Sequence, residues 1–91
     1  MARYRKKPVE VDAVQFTGGN SVQVAQFITD GGGSFRAETH PTDGKHDIFY
    51  IRTLEGEMQA VDGYWIIRGV EGEFYPCRDD IFCATYEAVD G

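Results

Sequence analysis

Arginine and aromatic side chains alternate through the second half of the chain, and they are the residues best suited to bind a ligand. Guanidinium groups match phosphate oxygens in planar forks, and tryptophan and tyrosine rings offer flat platforms for a nucleobase. Simple surface stacking is the competing interpretation, because cation–π pairs occur about once per 70–80 residues in ordinary proteins. The predicted ligand-binding residues are Tyr50, Arg52, Trp65, Arg68, Tyr75 and Arg78.

Histidine and cysteine are the residues that could hold a metal or carry a nucleophile. Structural zinc takes pairs separated by about two to four residues, whereas His40 and His46 have five residues between them, as do Cys77 and Cys83. A reactive thiolate needs an electropositive, partly open setting, and Cys83 stands between two apolar residues. We therefore expect no metal, no cofactor and two buried structural thiols, and we expect that the protein is not an enzyme.

The net charge of −6 combines a basic arm with an acidic body. Residues 1–8 hold four basic residues and no acid, a balance of +4, and residues 9–91 hold five basic residues against fifteen acids, a balance of −10. Such a body argues against sequence-independent binding of nucleic acid, which depends on many phosphate contacts. The preferred interpretation of the arm is a solvated terminus. The alternative is an anion clamp in which Tyr4 and Arg5 close over a ligand on a neighbouring subunit.

The 91 residues are enough for one hydrophobic core. We predict a single α+β domain over 9–91, preceded by the arm over 1–8. A chain of this size buries only roughly 60–65% of the surface that its unfolded form exposes, so a homo-oligomer is expected. No apolar run approaches the roughly 20 residues that span a bilayer, and no hydrophobic segment follows the basic start. We therefore expect a cytoplasmic protein without membrane contact.

Runs of aromatic and β-branched residues separated by glycine turns predict a twisted, mostly antiparallel sheet of five to six strands. The run 47–54 is apolar on both faces, which is typical of a central strand, and Pro76 indicates a strand end or a sheet edge. The run 9–16 changes phase in its middle, which predicts a bulge. The candidate strands cover 9–16, 34–39, 47–54, 57–61, 64–68, 73–75 and 84–89.

One short helix is predicted over residues 21–30, packed on one face of the sheet. Its apolar residues recur on a single helical face. Asn20 or Ser21 caps its start, with Gln23 in a capping-box arrangement, and Gly31 ends it in the left-handed region. A polar loop follows over 40–45, and a single helical turn near Asp79 or Asp80 precedes the last strand.

Two segments together carry a resemblance over a little more than half of the chain. The first is Arg3-Tyr4-Arg5-Lys6-Lys7-Pro8 before an acidic, alternating strand. The second is Gly63, then Trp65-Ile66-Ile67-Arg68-Gly69-Val70, then Gly72-Glu73-Phe74-Tyr75-Pro76-Cys77 and Asp80-Ile81-Phe82. These segments resemble the opening and the closing signature of a widespread family of small bacteriophage proteins. The family commonly has Asp at Tyr64 and Lys-Pro at Arg78-Asp79. The resemblance implies phage origin and action inside an infected bacterium.

Two functions follow as hypotheses. The first is a non-enzymatic, anti-defence protein that self-associates and sequesters a small, anionic, nucleotide-derived host immune signal at a subunit interface; phage sponges of similar size provide the analogy. The second is an interaction or structural accessory module that binds a host or virion protein through a sheet edge or the apolar face around Trp65. A small hydrolase would need a convergent acid, base or metal, and the sequence shows no such set.

Overall fold

The computed structural model describes residues 1–5, 7–39 and 47–89, which form an α+β fold of six strands and two helices. The strands form two three-stranded sheets in the orders β1-β5-β6 (sheet I) and β2-β3-β4 (sheet II), and every pairing is antiparallel. The elements in chain order are β1 (Asp12–Gln15), α1 (Ser21–Asp30), β2 (Phe35–Thr39), β3 (Asp47–Thr53), β4 (Gly56–Ala60), β5 (Trp65–Arg68), β6 (Phe74–Cys77) and α2 (Asp79–Thr85). The predicted fold class is confirmed, whereas the single sheet is in fact two.

Both sheets turn one face toward a common core, which α1 covers. Phe16 and Phe49 meet edge to face at 5.0 Å between ring centroids, and Phe27 and Phe74 do so at 5.5 Å. β3 is the central strand of sheet II, as predicted. The buried residues of the core cluster are Phe16, Val24, Ile28, Phe49, Ile51, Ala60, Ile66 and Phe74.

The start of α1 lies where it was predicted, but the capping box does not form. Asn20 occupies the N-cap position without a side-chain bond to the helix backbone. Its Oδ1 accepts the Thr17 N–H at 2.8 Å, and its Nδ2 donates to Gln23 Oε1 at 2.8 Å. Asn20 therefore fastens the turn that enters the helix instead of capping the first turn.

The end of α1 is a glycine stop one residue later than predicted. Gly31 has a φ of −89°, whereas Gly32 has a φ of 81°. The Gly32 N–H donates to the Thr29 carbonyl at 3.0 Å and the Gly33 N–H donates to the Ile28 carbonyl at 2.9 Å. These two bonds are the Schellman pair that satisfies the last carbonyls of a helix.

β1 is shorter than the predicted 9–16 strand and has no bulge. Its four residues pair without interruption, from Asp12 opposite Arg68 to Gln15 opposite Trp65. The apolar alternation of residues 9–16 changes phase for another reason: sheet I is covered on both faces, so apolar residues occur on both sides of β1. Val14 packs against the core, while Gln15 lies on the opposite face and donates through Nε2 to Asp79 Oδ1 of α2 at 3.3 Å.

The last predicted strand is wrong, because α2 fills the first part of 84–89 and 86–89 form no strand. Phe82 and Tyr86 are four residues apart, a spacing that brings side chains together on a helical face. The single helical turn predicted near Asp79 or Asp80 is present and continues as the seven-residue helix α2, so the described residues form two helices. No helix there has the length and apolar character needed to cross a bilayer. The loop predicted over 40–45 and both histidines lie outside the described residues.

Candidate functional site

The six predicted ligand-binding residues do not come together in one pocket. Successive residues of a strand point to opposite faces. Ile51 belongs to the core, so Tyr50 and Arg52 lie on the outer face of sheet II. Ile66 also belongs to the core, so Trp65 lies on the outer face of sheet I. Because these faces belong to different sheets on either side of the core, Arg52 and the indole do not share a surface.

The outer face of sheet II carries an arginine that the sequence-based prediction missed. The Arg36 guanidinium lies 3.9 Å from the Tyr50 ring centroid and donates to Glu57, with Nη2 2.9 Å from Oε1. It also pairs with Glu38. The hydrogen bond from Arg36 lowers the pKa of Glu57, and the charge of Arg52 lowers it further. The Tyr50 ring thus already stacks on a cation, and the two arginines are balanced by two carboxylates.

The sequence indicated the position of Arg36 on its strand but did not indicate its partners on the neighbouring strands. The alternation of residues 34–39 already places Arg36 and Glu38 on one side of that strand. Their partner becomes visible only in the strand register, which sets Arg36 opposite Tyr50 and Arg52 opposite Glu57. The β2–β3 register pairs segments that lie on either side of residues 40–46, and no pattern within either segment gives it.

The outer face of sheet I carries three stacked rings, Trp65, Phe82 and Tyr86, which we call the aromatic stack. Trp65 and Phe82 lie 4.1 Å apart at 10° between ring planes, and Phe82 and Tyr86 lie 5.0 Å apart at 25°. The indole N–H donates to Asp79 Oδ1 at 2.8 Å, and the hydroxyls of Tyr75 and Tyr86 lie 3.3 Å apart. Partial burial, followed by that hydroxyl contact, raises the pKa of Tyr75. The indole therefore anchors α2 to the sheet.

Arg68 and Arg78 lie apart, near opposite faces of sheet I. The Arg68 Nε atom is close to the end of α1, since a Cβ atom placed on Gly31 would lie 3.3 Å from it. A cation in this position complements the partial negative charge at the end of a helix. Arg78 pairs with Asp80, with 2.7 Å between Nη2 and Oδ2. Both positions fit structural roles for these arginines.

A long groove runs along the aromatic stack, between residues 9–13 and residues 85–89; we call it the terminal groove. Its volume is about 990 Å³. Trp65 and Arg68 both border it, although the Arg68 Nε atom lies close to the end of α1, near the other face of sheet I. Its other charged lining residues are acidic, namely Glu10, Asp12 and Glu87. Exposed valines also line it, namely Val9, Val70 and Val89.

A second, smaller depression lies between the β3–β4 hairpin and β6; we call it the hairpin cleft. Its volume is about 280 Å³. Leu54 and Met58 line it and remain 79% and 43% exposed. Two carboxylates, Glu55 and Glu73, belong to its lining. The sequence-based prediction missed this cleft, although a leucine directly before a Glu-Gly turn is an apolar residue at an exposed position.

The prediction of two buried thiols is wrong, because neither cysteine is fully buried. Cys77 is half-buried, but Cys83 is exposed, because α2 turns Phe82 toward the sheet and its next residue away from it. Burial and the charge of Asp80 raise the pKa of Cys77. Desolvation, then a hydrogen bond to Asp79, raises the pKa of Cys83. Raised pKa values oppose nucleophilic thiolate chemistry.

The fold and surfaces together define an α+β protein built from two antiparallel sheets, with two depressions that are rich in apolar side chains. No group of three or more metal-binding side chains occurs among the described residues. Comparisons with protein-family models, with curated proteins and with solved structures gave no match. The function is therefore argued from the surfaces of the chain itself.

Proposed function

We propose that the chain is a phage-encoded, non-enzymatic module that self-associates and binds a protein partner in the cytoplasm of the infected bacterium. Phage origin rests on the sequence resemblance described above. The observation that supports the binding role is the terminal groove, which combines exposed apolar residues with an acidic rim. Apolar patches bordered by polar residues mark protein interaction sites.

The dimensions and charge of the terminal groove favour a protein segment as its occupant. The groove volume of about 990 Å³ reaches the upper end of small-molecule pockets, which is roughly 1,000 Å³. Its charged lining comprises three carboxylates and Arg68. A partner segment with apolar side chains and lysine or arginine would complement both features. A phosphate group in the same place would meet three like charges for one arginine.

A tagged full-length chain recovered from infected bacteria tests this proposal. Val70 lines the terminal groove and is exposed, whereas Val22 is equally apolar, is exposed and lies on α1. We expect the chain and its Val22→Asp variant to retain one protein in stoichiometric amount, and Val70→Asp to lose it. Retention by all three, or by none, would contradict the proposal.

Capture of a nucleotide-derived host signal is the second candidate. The observation that favours it is that Trp65 and Arg68 line the same groove. In this version a subunit interface would add the cations that a single groove lacks. Thermal-shift measurements with cyclic dinucleotides and ADP-ribose derivatives test it, with Arg68→Gln as the variant that loses the shift. No stabilisation by any of these compounds would remove this candidate and leave the protein-binding role.

A further inference from the structure

We infer that the basic arm of one copy docks in the hairpin cleft of a second copy, with Tyr4 as its anchor. This inference deepens the proposed function, because it rests on the proposed self-association and names the segment and surface that produce it. The arm is residues 1–8, and the cleft is formed by the β3–β4 hairpin and β6. Among the described residues, no other part of the same chain fills the hairpin cleft or covers Tyr4.

The described residues of the arm, 1–5, 7 and 8, are all exposed, and Tyr4 retains 94% of its accessible surface. No hydrogen bond or ion pair between described residues joins it to the body. The radius of gyration is 14.2 Å, against about 12 Å for a compact chain of this length. A large aromatic ring on an unpacked arm gains stability only when another surface covers it.

The hairpin cleft has the size and lining to hold that ring. Its volume is about 280 Å³, and an apolar cavity of about 150 Å³ is already sufficient for benzene. Phe74 and Pro76 come from β6, and Leu54 and Met58 come from the hairpin. These residues offer aliphatic and aromatic contacts to a phenol ring while its hydroxyl stays in water.

The hairpin turn that forms one wall of the cleft is fastened by its own hydrogen bonds. The Thr53 hydroxyl donates to the Gly56 carbonyl at 2.6 Å and accepts the Glu55 N–H at 3.1 Å. Gly56 has a φ of 108°, which suits this turn and is strained for other residues. A preorganised cleft loses little conformational entropy on binding.

Charge complementarity selects the arm as the occupant. Tyr4 is flanked by Arg3 and Arg5, and in an extended segment these neighbours point away from the face that carries the ring. Glu55 and Glu73 both line the cleft, and the Glu73 carboxylate also accepts the Glu71 N–H at 3.0 Å. The arm carries +4 and the remainder of the chain −10, so the field of the body also draws the arm toward a second copy.

The sheet order favours exchange between two copies over docking within one. The arm leaves sheet I at β1, which is one edge, and the cleft lies against β6, which is the other edge. Two copies can each donate an arm and accept one. Such a reciprocal contact closes as a two-fold dimer and repeats the same interaction twice.

Sedimentation velocity of the full chain over a wide concentration range tests the inference. We expect a reversible dimer that weakens at high salt, because exposed charge pairs are screened. Tyr4→Ala should raise the dimer dissociation constant at least about tenfold, and Tyr4→Phe should leave it nearly unchanged, because the ring carries the contact. Since the Tyr4 ring is exposed, neither variant should alter the unfolding of the body.

A charge exchange supplies the sharper control. Arg5→Glu and Glu55→Arg should each weaken the dimer, and the two changes in one chain should restore it, since the repulsive pairs become attractive again. Glu87→Arg makes the same charge change in the terminal groove, so it controls for net charge and should weaken the dimer much less than Glu55→Arg. A dimer that is insensitive to Tyr4→Ala and Glu55→Arg would overturn the inference while self-association stands. A chain that is monomeric throughout would overturn both.

Discussion

Removal of the middle ring of the aromatic stack should detach α2 from sheet I. Phe82 contacts Trp65 on one side and Tyr86 on the other, and α2 has no buried residue of its own. Truncation of a fully buried phenylalanine costs about 3–5 kcal/mol, and Phe82 is half-buried. Two ring pairs at about 0.5–1.5 kcal/mol each give a similar figure. We therefore expect Phe82→Ala to destabilise this attachment by about 2 kcal/mol.

The intrinsic fluorescence of the protein reports this change directly, because Trp65 is the one tryptophan in the sequence. In Phe82→Ala the indole loses a stacking partner, so its emission should shift to longer wavelength before the body unfolds. If the whole loss appears in global unfolding, Tm should fall by about 8–16 °C, at about 4–8 °C per kcal/mol. Ile81→Ala is the matched control, because Ile81 lies on the same helix and is 49% exposed. An unchanged emission and Tm in Phe82→Ala would refute the anchoring role of the stack.

Three further predictions concern the core, the charged face and the thiols. Gly33→Ala should destabilise the fold by about 1–3 kcal/mol through overpacking, because its Cβ would lie 2.6 Å from the Phe74 ring. Gly19→Ala is the control, because a Cβ there meets open space. Urea denaturation compares the free energies of unfolding of the two variants. NMR titration should give Glu57 a pKa below its ordinary value, and Arg36→Gln should raise that pKa again. The interaction of Glu57 with Arg36 should stabilise the fold at neutral pH, and this stabilisation should be lost as pH falls through the lowered pKa. Alkylation of Cys83 should be slower in the folded than in the urea-unfolded chain at mildly alkaline pH, because its raised pKa reduces the thiolate fraction; equal rates would contradict this.

Local patterns predicted the elements of this fold better than its arrangement. The α1 bounds and the central position of β3 followed from hydrophobic spacing within each segment. The division into two sheets depends on the pairing of β1 with β5, which lie far apart in sequence, and no local pattern encodes it. The last strand was wrong because residues 84–89 are short and apolar enough for a strand, while the decisive contact of Phe82 with Trp65 is tertiary.

The candidate site shows the same limit. Sequence composition identified arginines and aromatic rings, but it did not identify which ring each cation contacts. Tyr50 stacks on Arg36, and the indole of Trp65 stacks on Phe82. The hairpin cleft was missed because its two sides come from β6 and from the hairpin after β3, which become neighbours only in the folded chain.

The mass of the full chain in solution, measured across protein concentration for the chain and for Tyr4→Ala side by side, tests the central claim most directly. Self-association through the arm predicts a dimer for the chain and a shift to monomer for the variant at the same concentration. A monomer for both at every concentration would contradict the claim that this protein acts by joining copies of itself.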